Sequence, residues 1–264
     1  MVNPAPMRAN ETLAWAGTMD FLEAVRLLTI IPIPSRKAPT AGVVVGSAYF
    51  PLVGALIGGL LVLASKLLTR LWSAPLVSVI LAVSWVVLTG GMHLDGLADT
   101  SDAMLSRRTR TQKLAIMKDS SVGTFGALAV FCALLLKASF LNELSMALQL
   151  QALALAPALG RWALVQAAFF YPAAREEGMG RFFSEHVRGR DFVVATLTVV
   201  GLAFLLLRFW GLAVFGGVWL MAALINHSFC KALGGLTGDT YGALCEISEV
   251  LALAMIALLG GVIV

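Results

Sequence analysis

The chain has 264 residues, of which 59% are hydrophobic and 13% charged, and its mean hydropathy is +0.88. So few charged groups cannot cover the surface of a water-soluble domain of this size, which leaves an integral membrane protein. The excess of 19 Lys and Arg over 15 Asp and Glu is too modest to point to nucleic acid as a partner.

The opening run MVNPAPMRANETLAWAG is polar, and Glu11, Asp20, Glu23 and Arg26 interrupt any early apolar core. No secretory signal is expected, so insertion falls to internal spans. Residues 12–31 place Leu13, Phe21, Leu22, Val25, Leu28 and Thr29 between charges and then break at Ile31–Pro34. That pattern predicts an amphipathic interfacial helix stopped by prolines. Apolar stretches follow at 43–64, 75–92, 122–141, 145–170, 192–208, 210–231 and 243–264. Each is near the ~20 residues that a bilayer crossing needs. Glycines such as Gly54, Gly58, Gly59, Gly216, Gly217, Gly260 and Gly261 suit close helix packing. Cys132, Cys230 and Cys245 lie apart in apolar runs and read as packing residues. The expected architecture is therefore all-α: one membrane-embedded domain over 1–264, a polytopic bundle of about seven transmembrane helices. Residues 1–40 form its interfacial, cytoplasmic segment.

Charge placement gives an orientation. Counting spans puts the N-terminal segment, 93–121, 171–191 and 232–242 on one side, with Arg8, Arg26, Arg36, Lys37, Arg107, Arg108, Arg110, Lys113, Lys118, Arg175, Arg181, Arg188, Arg190 and Lys231. The other side keeps Lys66, Arg70, Lys137 and Arg208. The positive-inside rule makes the first side cytoplasmic. Nearly every acid falls there too, so the chemistry is expected on the cytoplasmic face of a cell (inner) membrane.

Three acidic groups carry that chemistry. In His93-Leu-Asp95-Gly-Leu-Ala-Asp99-Thr-Ser-Asp102 the aspartates stand at i, i+4 and i+7, one helical face. Like charges at that spacing repel, and Mg²⁺, which takes carboxylates together with substrate phosphates, is the usual compensation. His93 is a weaker candidate, as ligand, acid/base group or cap. The second group, Lys118-Asp119-Ser120-Ser121, precedes a span, where Asp119 or a serine would serve as N-cap beside an anion site. The third begins at Gly234-Gly235 and Thr237, a donor-rich turn suited to phosphate. It continues through Asp239, Glu246 and Glu249 at i, i+7 and i+10. Acids inside an apolar helix are costly and mark function. Arg161 lies within a span and needs a carboxylate or phosphate partner. Arg175 offers a fork suited to phosphate oxygens.

The runs GGMHLDGLADTSDA, MKDSSVGTFG, YPAAREEGMG and GGLTGDTYGALCEISE, in that order, resemble the adenosylcobinamide-GDP ribazoletransferase (cobalamin-5′-phosphate synthase) family, from Thr29–Pro34 to the final helix. The resemblance implies a Mg²⁺-dependent transfer of cobinamide-phosphate from adenosylcobinamide-GDP to a ribose hydroxyl of α-ribazole or its 5′-phosphate, releasing GMP. It would make Asp95, Asp99, Asp102, Asp239, Glu246 and Glu249 catalytic, all but Glu249 as metal ligands. His93, Lys118, Asp119, Arg161, Arg175 and Thr237 would bind substrate or phosphate. The implied partners are the two substrates and the lipid bilayer, with no nucleic acid. Self-association and association with other cobalamin-assembly enzymes stay open. A CDP-alcohol phosphotransferase-like enzyme would use similar physics, but Leu97-Ala98-Asp99 lacks the arginine of its DGxxAR pattern. An ion-coupled transporter would be expected to place acids near mid-span in inverted-repeat halves.

Overall fold

Long apolar runs form long helices here, tolerating Pro157 and several glycines inside them, and Gly or Pro stands at many of their ends. A computed structural model describes residues 20–33 and 46–263. In chain order the helices are α1 (20–28), α2 (Phe50–Leu68), α3 (Ala74–Thr89), α4 (Met92–Leu105), α5 (Arg110–Ile116), α6 (Thr124–Glu143), α7 (Met146–Phe170), α8 (Met179–His186), α9 (Gly189–Leu233) and α10 (Gly238–Ile263). The only β-pairing among the described residues is an isolated bridge between Ala173 and Leu236.

With its 3₁₀ entry turn at Ser47–Tyr49, α2 is long and apolar enough to cross a membrane, as are α6, α7, α9 and α10. α3 passes that test only together with α4, and the two are bent by 94°. The bend follows from Gly90 and Gly91, both left-handed at φ 63° and 72°. Only glycine enters that region at little cost. The turn tips the 14-residue α4, which carries all three aspartates of the first acidic group, away from the line of α3.

α9 reverses direction within its 45 residues at Arg208, whose φ of 54° is non-helical. A Cβ on Gly211 would strike the Ala203 carbonyl, eight residues back, which a continuous helix would hold roughly 12 Å away. Trp162 confirms the hairpin, because it touches both Thr196 and Phe215. The seven apolar stretches therefore correspond to α2, α3, α6, α7, the two arms of α9, and α10.

The bundle is built around α7, whose Leu153, Leu155, Leu159 and Trp162 are fully buried. Gly54 and Gly58 of α2 lie against the backbone of Leu153, Ala154, Pro157 and Ala158, so a side chain at either would separate the helices. Buried polar groups are paired across helices, Ser65 with Gln149 and Asn226 with Gln166. Leu197, Leu205, Phe209 and Leu258 face outward, as lipid-facing positions do.

α1 bears on the expected interfacial helix. Its Ala24, Val25 and Leu28 are buried in the core, so this stripe packs on protein. Residues 12–19 and Pro34 lie outside the described residues. A second difference concerns Lys137, assigned by charge counting to the far side. It lies within α6 and is 1% exposed, held by carboxylates described below. Charge counting fails here because a lysine paired inside a bundle does not report on a loop.

Candidate active site

Helices α4 and α10 cross where both are small. A Cβ on Gly96 would come within 2.7 Å of the Asp239 carbonyl oxygen, and one on Gly242 within 3.1 Å of the His93 carbonyl oxygen. This close crossing brings Asp95 and Asp99 of α4 beside Asp239 in the first turn of α10. Burial, then the charges of Asp95, Asp239 and Asp102, push the Asp99 carboxyl up to about 6. Three acids thus share one space. Among the described residues the base paired with Asp239 is Arg175, 4.0 Å away.

Arg175 is anchored from the other direction, donating through Nη2 to the Leu114 carbonyl at 3.0 Å. Its Nε is buried with no partner, a donor left over for an anionic oxygen. The turn carrying Arg175 is tied to the start of α10 by Leu236 N–H donating to Pro172 O and Ala174 N–H donating to Leu236 O, both at 2.8 Å. Arg110 fixes the same junction through the carbonyls of Leu233 and Ala174. A groove of about 720 Å³ runs from Arg175 to Lys118 and Thr111, with Lys118 exposed on its wall.

Asp102 turns away from the other two aspartates of its triplet. It accepts the N–H groups of Gly123 and Gly126 at 2.8 and 2.9 Å, closing the N-terminus of α6 from across the loop. Asp119, expected as the N-cap there, bonds instead to Ser121 Oγ and N–H. Those bonds hold its exposed carboxyl below the usual carboxylate value. The N-cap residue of α6 is Gly123, without a side-chain bond. Thr237 is likewise internal: its N–H donates to Thr240 Oγ1 at 2.8 Å and the Thr240 N–H returns to Thr237 Oγ1 at 3.3 Å. This reciprocal pair closes the first turn of α10 and leaves Thr237 buried, not open to a phosphate.

Glu246 and Glu249 belong to a different setting. Lys137 Nζ reaches Glu246 at 2.7 Å and also bonds Glu249. Arg161 bonds the other Glu249 oxygen, meeting the need of its span for a carboxylate. Its Nη2 lies 3.5 Å from His93 Nδ1. Two acids and two bases balance in a cluster less than 5% exposed throughout. The expected second acidic wall is therefore divided: Asp239 joins the aspartates of α4, while the glutamates are neutralised deeper in the bundle. Sequence reasoning missed Lys137, although a lysine within LLLKASF carries the same signal as Arg161.

Among the described residues no three His, Cys, Asp or Glu side chains converge closely enough to hold a metal by themselves. Mg²⁺ commonly takes only one or two carboxylates and completes its shell with water and substrate phosphate. Asp95, Asp99 and Asp239 suit that mode.

The family model described as cobalamin-5-phosphate synthase matches residues 20–257. The adenosylcobinamide-GDP ribazoletransferase of Roseiflexus sp. (strain RS-1) is 44% identical over 245 residues, covering 92% of this chain and 91% of its own. The protein so named from Herpetosiphon aurantiacus is 45% identical, with 90% and 95% covered. A third, from Desulforamulus reducens, is 38% identical, with 89% and 94% covered. No solved structure matches. Near-complete coverage at such identity, together with the acidic crossing of α4 and α10, places the chain in the cobalamin-5-phosphate synthase family.

Proposed function

We propose that the protein transfers the cobinamide-phosphate moiety of adenosylcobinamide-GDP to a ribose hydroxyl of α-ribazole or its 5′-phosphate, giving adenosylcobalamin or its 5′-phosphate and GMP. The observation carrying this reading is the cluster of Asp95, Asp99 and Asp239 beside Arg175, set in a chain that aligns along its length with ribazoletransferases. In the reaction the acceptor oxygen bonds to the phosphorus of the cobinamide-phosphate, and the phosphorus–oxygen bridge to GMP breaks. Such transfers depend mainly on positioning and charge stabilisation. Arg175 binds the diphosphate through its unpartnered donor, and Lys118 meets the nucleotide end along the groove. The aspartates orient the acceptor hydroxyl and take its proton. Mg²⁺, held by one or two of Asp95, Asp99 and Asp239 together with substrate phosphate, would supply neutralisation of the diphosphate charge. The chemistry belongs on the cytoplasmic side of the cell membrane, where the positive-inside rule puts these loops.

An ion-coupled transporter fits less well, because the acids deep in the helices, Glu246 and Glu249, are both held by cations of the chain. The test is GMP release by the purified, detergent-solubilised protein given the GDP-bearing donor and either acceptor. Stoichiometric release with formation of the new phosphodiester is expected. A folded protein that releases no GMP with both acceptors would refute the reading.

A further inference from the structure

Beside the acidic crossing lies a cavity of about 210 Å³ with two unlike walls. One wall carries Asp95 and Asp239; the rest is formed largely by Leu28, Leu164, Phe183 and Tyr241. Its volume is below the roughly 300–1,000 Å³ of pockets that enclose a whole drug-sized ligand, so it takes a fragment of a substrate. The aromatic part is fixed in advance. Phe183 stands edge-on to Tyr241 at 5.8 Å and to Phe50 at 5.9 Å, so three helices, α2, α8 and α10, hold its ring.

We infer that this cavity is the acceptor subsite and receives the planar heteroaromatic base of the nucleoside. The inference rests on the proposed function and deepens it. Three observations select the base. Away from His93, Asp95 and Asp239 the lining is apolar and aromatic, which favours a flat ring, and the two carboxylates disfavour the charged diphosphate. The volume admits a two-ring heterocycle and excludes a guanosine diphosphate or a corrinoid. Asp95 and Asp239 form the side from which the ribose hydroxyl would reach the phosphorus, so a base seated against Phe183 leaves the sugar at the acids. The donor nucleotide then keeps the open groove of Arg175 and Lys118, which Arg175, 4.0 Å from Asp239, joins to the acids. Leu28 gives α1 a role in this arrangement: the helix supplies one wall of the acceptor subsite. A pocket that reads a ring by shape alone discriminates weakly, about 10–200-fold per methyl-sized change.

Filling and opening the cavity should act in opposite directions. Leu164→Phe fills it and is expected to raise the KM for the acceptor at least tenfold, with the donor KM moved less than twofold. Phe183→Ala opens it and is expected to shift preference toward acceptors with a bulkier base, a gain that a misfolded variant cannot give. Benzimidazole provides a probe independent of turnover. In equilibrium dialysis the wild-type protein should bind it, the acceptor should displace it, and Leu164→Phe should weaken it at least tenfold. Failure of wild-type protein to bind benzimidazole would overturn the subsite, as would a Leu164→Phe effect confined to the donor KM. Absence of GMP release would count against the proposed function alone, since the dialysis reads the base without it.

Discussion

Two acidic clusters lie on α10 and its neighbours, and they differ in how their charge is balanced. Glu246 and Glu249 face Lys137 and Arg161, and the four charges cancel within the bundle. Asp95, Asp99 and Asp239 lie beside one another, and among the described residues the base paired with them is Arg175, 4.0 Å from Asp239. Carboxylates at helical spacing look alike in a sequence. What separates them is whether the described residues supply the counter-charge. A cluster that does so holds helices together. One that does not keeps its repulsion, which adds to burial in raising the Asp99 carboxyl, and we propose that it takes a cation and a phosphorylated substrate.

The sharpest way to break this contrast is to unbalance the buried cluster. Lys137→Met leaves two carboxylates against one arginine and is expected to cost about 3–5 kcal/mol of stability, as removal of one buried ion partner does. Adding Glu246→Gln restores neutrality and should recover a large part of the loss in thermal unfolding. If the double variant were no more stable than the single, the cluster would not be a charge balance. In the open cluster the expectation is reversed. Asp95→Asn should lower GMP release about 10²–10³-fold, the scale of losing one charge-stabilising group at a reacting centre. Its thermal midpoint should be equal to or above that of the wild type, because a repulsive charge has gone. Asp102→Ala removes a carboxylate that accepts two N–H groups of α6. It should cost about 0.5–2 kcal/mol, as a lost helix cap does, and reduce activity less than Asp95→Asn. Asp119→Ala, which touches only Ser121, should leave GMP release within twofold of the wild type.

Much of the fold was legible. Hydropathy located the seven apolar stretches, and the break expected between 192–208 and 210–231 falls at Arg208. The tilt of α4 was not legible, because Gly90-Gly91 reads as a span end and gives no angle. Within the site, Asp95, Asp99 and Asp239 were expected together and the structure brings them together. Asp102 and Thr237 were drawn in by spacing and motif alone. Their geometry is that of helix ends, which depends on which loop arrives from elsewhere. Glu246 and Glu249 share the helical period with Asp239 but lie two to three turns deeper. Their partner Lys137, on α6, is 109 residues away from Glu246 in the chain. No periodicity along one helix could show that pairing. The cavity wall of Phe183 and Leu164 was equally hidden, since neither residue carries a charge or spacing that marks it in sequence.

The most direct test of the contrast is a Mg²⁺ titration of GMP release by wild-type protein, Asp99→Asn and Glu246→Gln, with thermal unfolding measured on the same samples. The account predicts that Asp99→Asn raises the Mg²⁺ concentration for half-maximal rate at least tenfold while its unfolding midpoint holds. Glu246→Gln should keep the wild-type Mg²⁺ dependence and lose stability. The reverse pattern, or a wild-type rate indifferent to Mg²⁺, would contradict it.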